Sequence, residues 1–263
     1  MKRIKIAYGG GRSLGVQVLQ WLSSQEEFEV VAVCPVPYDD DPEYNGQLMS
    51  VINANNYTVC DVQGLLEYDI DIGLSVNYHR IIKEEILRHC HKGFYNIHHS
   101  YNLRLRGRNI TTHAILNTLD ENIFYHGTTL HMMVPELDAG GIIASCSISI
   151  EETDTAYSLF RKTDEMAFQM IKEWLPRIAF ETVFPYEPPK GRVHSYRNFE
   201  LPERRVEESM SLERVDAYIR AFDYPGKEPA FILKGDKRIH LVYNARDQYQ
   251  KKFEALGKTY YTE

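Results

Sequence analysis

No apolar stretch in this sequence approaches the roughly 18 residues that a membrane-spanning helix needs, so a helical bilayer protein is excluded. Cysteine is scarce. Cys34, Cys60, Cys90 and Cys146 lie far apart and form no C-x-x-C pair, which argues against a disulfide framework or a zinc knuckle and for reduced, structural thiols. Basic residues are outnumbered: 30 Lys and Arg against 37 Asp and Glu give a net charge of -7. Extended contact with a nucleic-acid backbone needs a clustered excess of cations and is therefore not expected. A small phosphorylated ligand stays possible, because it needs only a few arginines or one helix N-terminus. The opening MKRIKIAYGG has too short an apolar run for an export signal, and the expected location is the cytoplasm, with no membrane partner. There is no internal repeat and no low-complexity segment.

What is present alternates between strand and helix patterns. RIKIAY at residues 3–8 is followed by the glycine turn GGGRSLG and a helical run containing Val16, Leu19 and Leu22. Such a turn suits a phosphate or sugar, and equally any tight strand-to-helix connection. Further strands are expected at 29–34, 57–60, 70–76, 93–97, 125–134 and 141–148. Helices are expected at 47–55, 77–90, 110–119 and 156–174, the last capped by Thr153 or Asp154. Residues 39–46 read as an exposed acidic loop. This order predicts an α/β fold, a Rossmann-like, mostly parallel twisted sheet with helices on both faces, over residues 1–182. Prolines 185, 188 and 189 then mark the start of a small α+β region, 183–263, with a helix at 212–222 and a hairpin turned at Gly235-Asp236.

Chemistry concentrates in NIHHSYNLRLRG, residues 96–107. At a strand end the two-residue period puts Asn96 and His98 on one face and sends Ile97 into the core. Two donors then face one point, suited to a carbonyl oxygen that gains negative charge, with Asp138 of ELDAGG as the carboxylate partner of the imidazole. Taken alone, Asn-x-His is also a common way for a strand to enter a turn. The ten histidines include no H-E-x-x-H, and His98 and His99, being adjacent, point to opposite faces; no metal is expected. Ser100 lacks a G-x-S-x-G elbow, and the glycine turn lacks a Walker lysine.

NIHHSYNLRLRG resembles, in register, the Asn-x-His-Pro-Ser-x-Leu-Pro-x-x-Arg-Gly segment of 10-formyltetrahydrofolate-dependent formyltransferases. HGTTLHMMVPELDAGG is similar to their Gly-Val-Thr-x-His segment with its Asp-x-Gly ending. Gly127, Thr129, His131, Asp138 and Gly140 fall in place, while His99, Leu103 and Asn109 stand where prolines are usual. IRAFDYPGKEPAFI, at 219–232, resembles an Arg-x-Phe-x-Pro-Gly segment of sugar N-formyltransferases.

The resemblance implies transfer of a formyl group from 10-formyltetrahydrofolate, a co-substrate, to the amine of a nucleotide-linked amino sugar, expected to be dTDP-linked and destined for surface polysaccharide such as the O-antigen of lipopolysaccharide. It implies Asn96, His98 and Asp138 as the catalytic residues. Folate is then expected at Tyr78, His79, Arg80, Ile81, Ile82, Val134, Pro135, Glu136 and Leu137, and the sugar nucleotide at Arg12, Ser13, Ser100, Arg106, Gly107, Phe222 and Tyr224. A homodimer is implied as well. Alternatives are a methionyl-tRNA or other small-amine formyltransferase, and a non-catalytic folate- or nucleotide-binding protein of the same fold.

Overall fold

The computed structural model describes residues 2–190, 193–196 and 200–243. Its main sheet joins β1 (Ile4–Gly10), β2 (Phe28–Pro35), β3 (Ile72–Val76), β4 (Phe94–His98), β6 (Tyr125–Met132) and β7 (Ile142–Ser149) in the order β2-β1-β3-β4-β6-β7. The first four are parallel, and β6 runs antiparallel to β4. β5 (Leu105–Gly107) pairs instead with β8 (His194–Tyr196), and β9 (Ala230–Lys234) with β10 (Lys237–Leu241), the latter two forming the expected hairpin about Gly235.

Helices cover both faces, as the alternation implied. α1 (Arg12–Leu22), α2 (Asn45–Ala54) and the later part of α5 (Ala156–Phe180) bury Leu14, Leu19, Leu48, Ile52, Ile171 and Leu175 against Ile6, Tyr8, Leu74 and Ile97. On the other face α3 (Glu84–His89) contributes Ile86 and Leu87 to a cluster with Ile70, Ile82 and Phe94. Each such side chain, fully removed from water, contributes roughly 1.5–3 kcal/mol.

Two compact units emerge. One comprises residues up to Arg104 with Thr128–Cys146 and Asp164–Val193; the other comprises Leu105–Gly127, Ser147–Thr163 and the described residues from His194 onward. Within the second, α4 (Ile110–Asp120) and α6 (Leu212–Phe222) share a core with Leu105, Ile150 and Leu159.

Four local expectations change. Residues 57–60 form one bridge, Val33 to Val59, and no strand. Tyr78 to Lys83 precede α3 as a loop, so that helix is shorter than its polar-apolar pattern suggested. α5 runs past Pro176 to Phe180, because Leu175, Ile178 and Ala179 are buried and outweigh the lost backbone bond. Its entry is capped by Thr155, not by Thr153 or Asp154: Ser158 N donates to Thr155 Oγ1 at 3.2 Å while Thr155 N donates to Ser158 Oγ at 2.9 Å.

Candidate active site

β4 ends at the carboxyl edge of the sheet, where open α/β sheets collect ligands. Ile97 is 3% exposed within the core, so the neighbouring Asn96 and His98 do share the opposite face. Asn96 is then oriented from both sides. Ser75 on β3 donates its hydroxyl to Asn96 Oδ1 at 2.8 Å, and Asn96 Nδ2 lies 3.1 Å from His131 Nε2 on β6. Register explains this, since Asn96 stands opposite Ser75 on one side and His131 on the other. His131 Nδ1 lies 2.9 Å from the Met132 carbonyl, which only accepts; the ring proton is therefore on Nδ1, and Nε2 accepts from the Asn96 amide. Reversing the amide would set its oxygen against the unprotonated His131 Nε2, losing that hydrogen bond.

Asp138 lies between two imidazoles, 3.7 Å from His98 Nε2 and 3.9 Å from His131 Nε2, with all three side chains largely buried. Both separations are longer than direct hydrogen bonds. The loop that carries Asp138 is held close to β6. A Cβ on Gly140 would lie 1.8 Å from the Met132 carbonyl, so only glycine fits, and Asp138 itself adopts a left-handed φ of 46°. The next turn is pinned too: Thr129 donates to the Ser100 carbonyl at 2.6 Å, Thr128 to the His98 carbonyl at 3.3 Å, and Ser145 Oγ accepts from Asn102 N at 2.9 Å.

The residues expected at the folate occupy two loops after β3 and β6. Ile81 is 87% and Leu137 63% exposed, so each offers apolar surface to a planar ring. Val134 is half-buried, and Pro135 and Glu136 are exposed. Tyr78 is half-buried, and burial raises its phenol well above the usual range. His79 and Arg80 reach the acidic loop, their nitrogens 3.2 and 2.6 Å from one oxygen of Asp40. Ile82 departs from expectation: at 6% exposure it belongs to the core beside Ile86 and Phe94, and no face is left for a ligand.

Among the residues expected at the sugar nucleotide, Arg12 opens α1 and its backbone N–H donates to Asp41 at 2.6 Å. Ser13 is buried and donates its hydroxyl to Asp164 at 2.9 Å. Ser100 is also buried. Arg106 and Gly107 belong to the second unit, where β5 pairs with β8 and a Cβ on Gly107 would meet the Tyr196 carbonyl at 2.0 Å. Phe222, expected near the substrate, is 4% exposed and packs among Val215, Ile219 and Ala230, a core position that leaves no ring face for a base. Tyr224 meets Tyr157 and Phe160 edge-on at 5.4 and 5.7 Å.

His131, which holds the Asn96 amide, is a side chain to which the motif reading assigned no role. Its signal was the alternation Thr129-x-His131, which places both residues on one face of β6, but their registry with Asn96 and His98 exists only in the sheet.

Comparison with known proteins follows the same lines. Residues 49–175 match the formyl transferase family. The GDP-perosamine N-formyltransferase of Brucella melitensis is 32% identical over 176 residues, which are 66% of this chain and 65% of that protein's length. Among solved structures, a sugar 3N-formyl transferase crystallised with dTDP and 5-N-formyl-THF superposes with a TM-score of 0.76 at 21% identity, covering 91% of this chain and 85% of the other. An N-formyltransferase from Helicobacter canadensis, in complex with folinic acid and dTDP-3-aminofucose, gives 0.75 at 20% identity, covering 90% and 86%. Residues 49–175 thus match the formyl transferase family model, and the chain is similar to a sugar N-formyltransferase of which it spans just under two thirds.

Proposed function

We propose that this protein transfers the formyl group of 10-formyltetrahydrofolate to the amine of a nucleotide-linked amino sugar. The observation that carries the reading is the convergence of Asn96, His98 and Asp138 on one edge of the sheet, with Asn96 locked by Ser75 and His131. The family match over residues 49–175 and the likeness to a GDP-perosamine N-formyltransferase support it.

The amine attacks the formyl carbon, and the carbonyl oxygen gains negative charge in a tetrahedral intermediate that collapses with loss of tetrahydrofolate. An amide nitrogen carries two protons. One from Asn96 goes to His131, and the second is assigned to the oxyanion together with a proton from His98. Asp138 receives the proton that the amine sheds and returns it to the departing nitrogen of tetrahydrofolate. Ile81, Leu137 and Val134 supply the apolar wall for the pterin, and the glycine turn with Arg12 faces the acceptor. The nucleotide is carried as dTDP, against the GDP in the name of the Brucella relative. A role in surface polysaccharide synthesis, a cytoplasmic location and a homodimer complete the proposal.

The test is an assay of purified protein with 10-formyltetrahydrofolate and a panel of dTDP- and GDP-linked amino sugars, followed by mass spectrometry. A gain of one formyl group on a nucleotide sugar is expected. Formylation of charged initiator tRNA or glycinamide ribonucleotide alone would overturn the substrate class, and folate binding without turnover on any amine would favour the non-catalytic alternative.

A further inference from the structure

The first unit holds a buried carboxylate outside the catalytic group. Asp164, on α5, is 5% exposed. Its Oδ2 accepts the Ser13 hydroxyl at 2.9 Å, its Oδ1 lies 2.8 Å from His99 Nε2, and the Asn77 amide donates to Oδ1 at a longer 3.4 Å. Because a carboxylate only accepts, the proton of that imidazole contact is on His99 Nε2. Ser13 and His99 are each 8% exposed, so these bonds form away from water, where a charge left without its partners is costly.

The three donors come from segments that follow three different strands, Ser13 from the first turn of α1. Ser13 follows β1, Asn77 follows β3 and His99 follows β4, and these strands are consecutive in the sheet. Together their loops form the carboxyl edge at which ligands of such sheets bind. Ser13 adjoins Arg12 on the acceptor side, Asn77 immediately precedes the donor loop that begins at Tyr78, and His99 follows the catalytic His98. A backbone bond from Gly11 N to the Val76 carbonyl, 3.2 Å, joins the first two loops, but only Asp164 reaches all three among the described contacts.

We infer that Asp164 is a positioning residue which, through Ser13, Asn77 and His99, sets the spacing between the donor loop, the acceptor loop and the strand end carrying His98. The inference rests on the formyl-transfer reading above for what each loop holds. It also assigns Ser13 a different use from phosphate contact, since its one hydroxyl proton is already given to Asp164.

The experiment compares wild type with Asp164→Asn, His99→Phe and His99→Gln. Steady-state kinetics give kcat and both KM values, and hydrogen–deuterium exchange follows the amides of residues 9–16, 75–82 and 97–103. Asp164→Asn and His99→Phe are expected to lower kcat by roughly tenfold or more, as small misplacements of reacting groups do, and to speed exchange in all three segments together. His99→Gln, which keeps a side-chain N–H, should recover part of both losses. Wild-type kcat and KM in a protein that merely melts earlier would overturn the inference, as would faster exchange confined to α5. Should Asp164→Asn not fold, the two His99 variants carry the same comparison. If wild type formylates no amine, the functional reading falls and the exchange pattern alone decides the clamp: linked change in the three loops supports it, and independent change overturns it.

Discussion

Asn96 owes its usefulness to two neighbours. A free asparagine flips its amide at little cost, whereas here Ser75 takes the oxygen and His131 the nitrogen, so a donor points in a fixed direction before any substrate arrives. Replacing Asn96 by Ala is expected to lower kcat about a hundredfold or more with folate binding retained, measured by steady-state assay and by titration with a non-reactive formylfolate. Elsewhere a buried histidine contributes to the acid response. His113 is buried and stacked on Tyr196 at 3.5 Å between ring centres, and burial pushes its pKa down to about 4. The unfolded chain takes up that proton near the ordinary value of 6.5, so stability is lost as the pH falls from 6.5 toward 4. At about 1.4 kcal/mol per pKa unit the loss is at most ~3 kcal/mol. Urea melts at pH 4.5 and 7 are expected to show a smaller midpoint difference for His113→Phe than for wild type; equal differences would contradict it.

The elements show where local pattern and folded context part. β4, α1, α4 and α6 match their sequence patterns closely because each has a single apolar face or run. The loops were harder to read. Leu103 and Asn109, at two of the three positions where the resembled formyltransferase motif implies proline, have φ of 54° and 56°. Proline cannot adopt those angles, so its absence there fits the altered turns, and no periodicity reveals this. The short loop from Pro135 to Gly140 is the sharper case. Its LDAGG pattern signals a turn, but that the turn must press on the Met132 carbonyl is a matter of packing. Gly140→Ala would force the loop away and carry Asp138 with it. We expect a fall in kcat of at least tenfold together with a lower Tm, read by activity assay and calorimetry; an unchanged kcat would show that Asp138 tolerates displacement.

For the whole molecule, charge narrows the partners. With a net charge of -7, tRNA is expected to give no mobility shift with this protein even at low salt, whereas a methionyl-tRNA formyltransferase would bind and lose that binding as salt rises. Among the described residues no helix is long and apolar enough to cross a membrane. The amino-acid order by itself determined the alternation of strands and helices, the mostly parallel sheet, and the pairing of Asn96 with His98 on one face, because these follow from periods of two and 3.6 residues that any reader of the chain can count. Only the tertiary structure decided that Asp138 sits between His98 and His131, that Ile82 and Phe222 are core, and that Asp164 gathers Ser13, Asn77 and His99. Those facts depend on strand order and on side chains far apart in the chain meeting in a dry interior, and sequence spacing carries no record of such meetings.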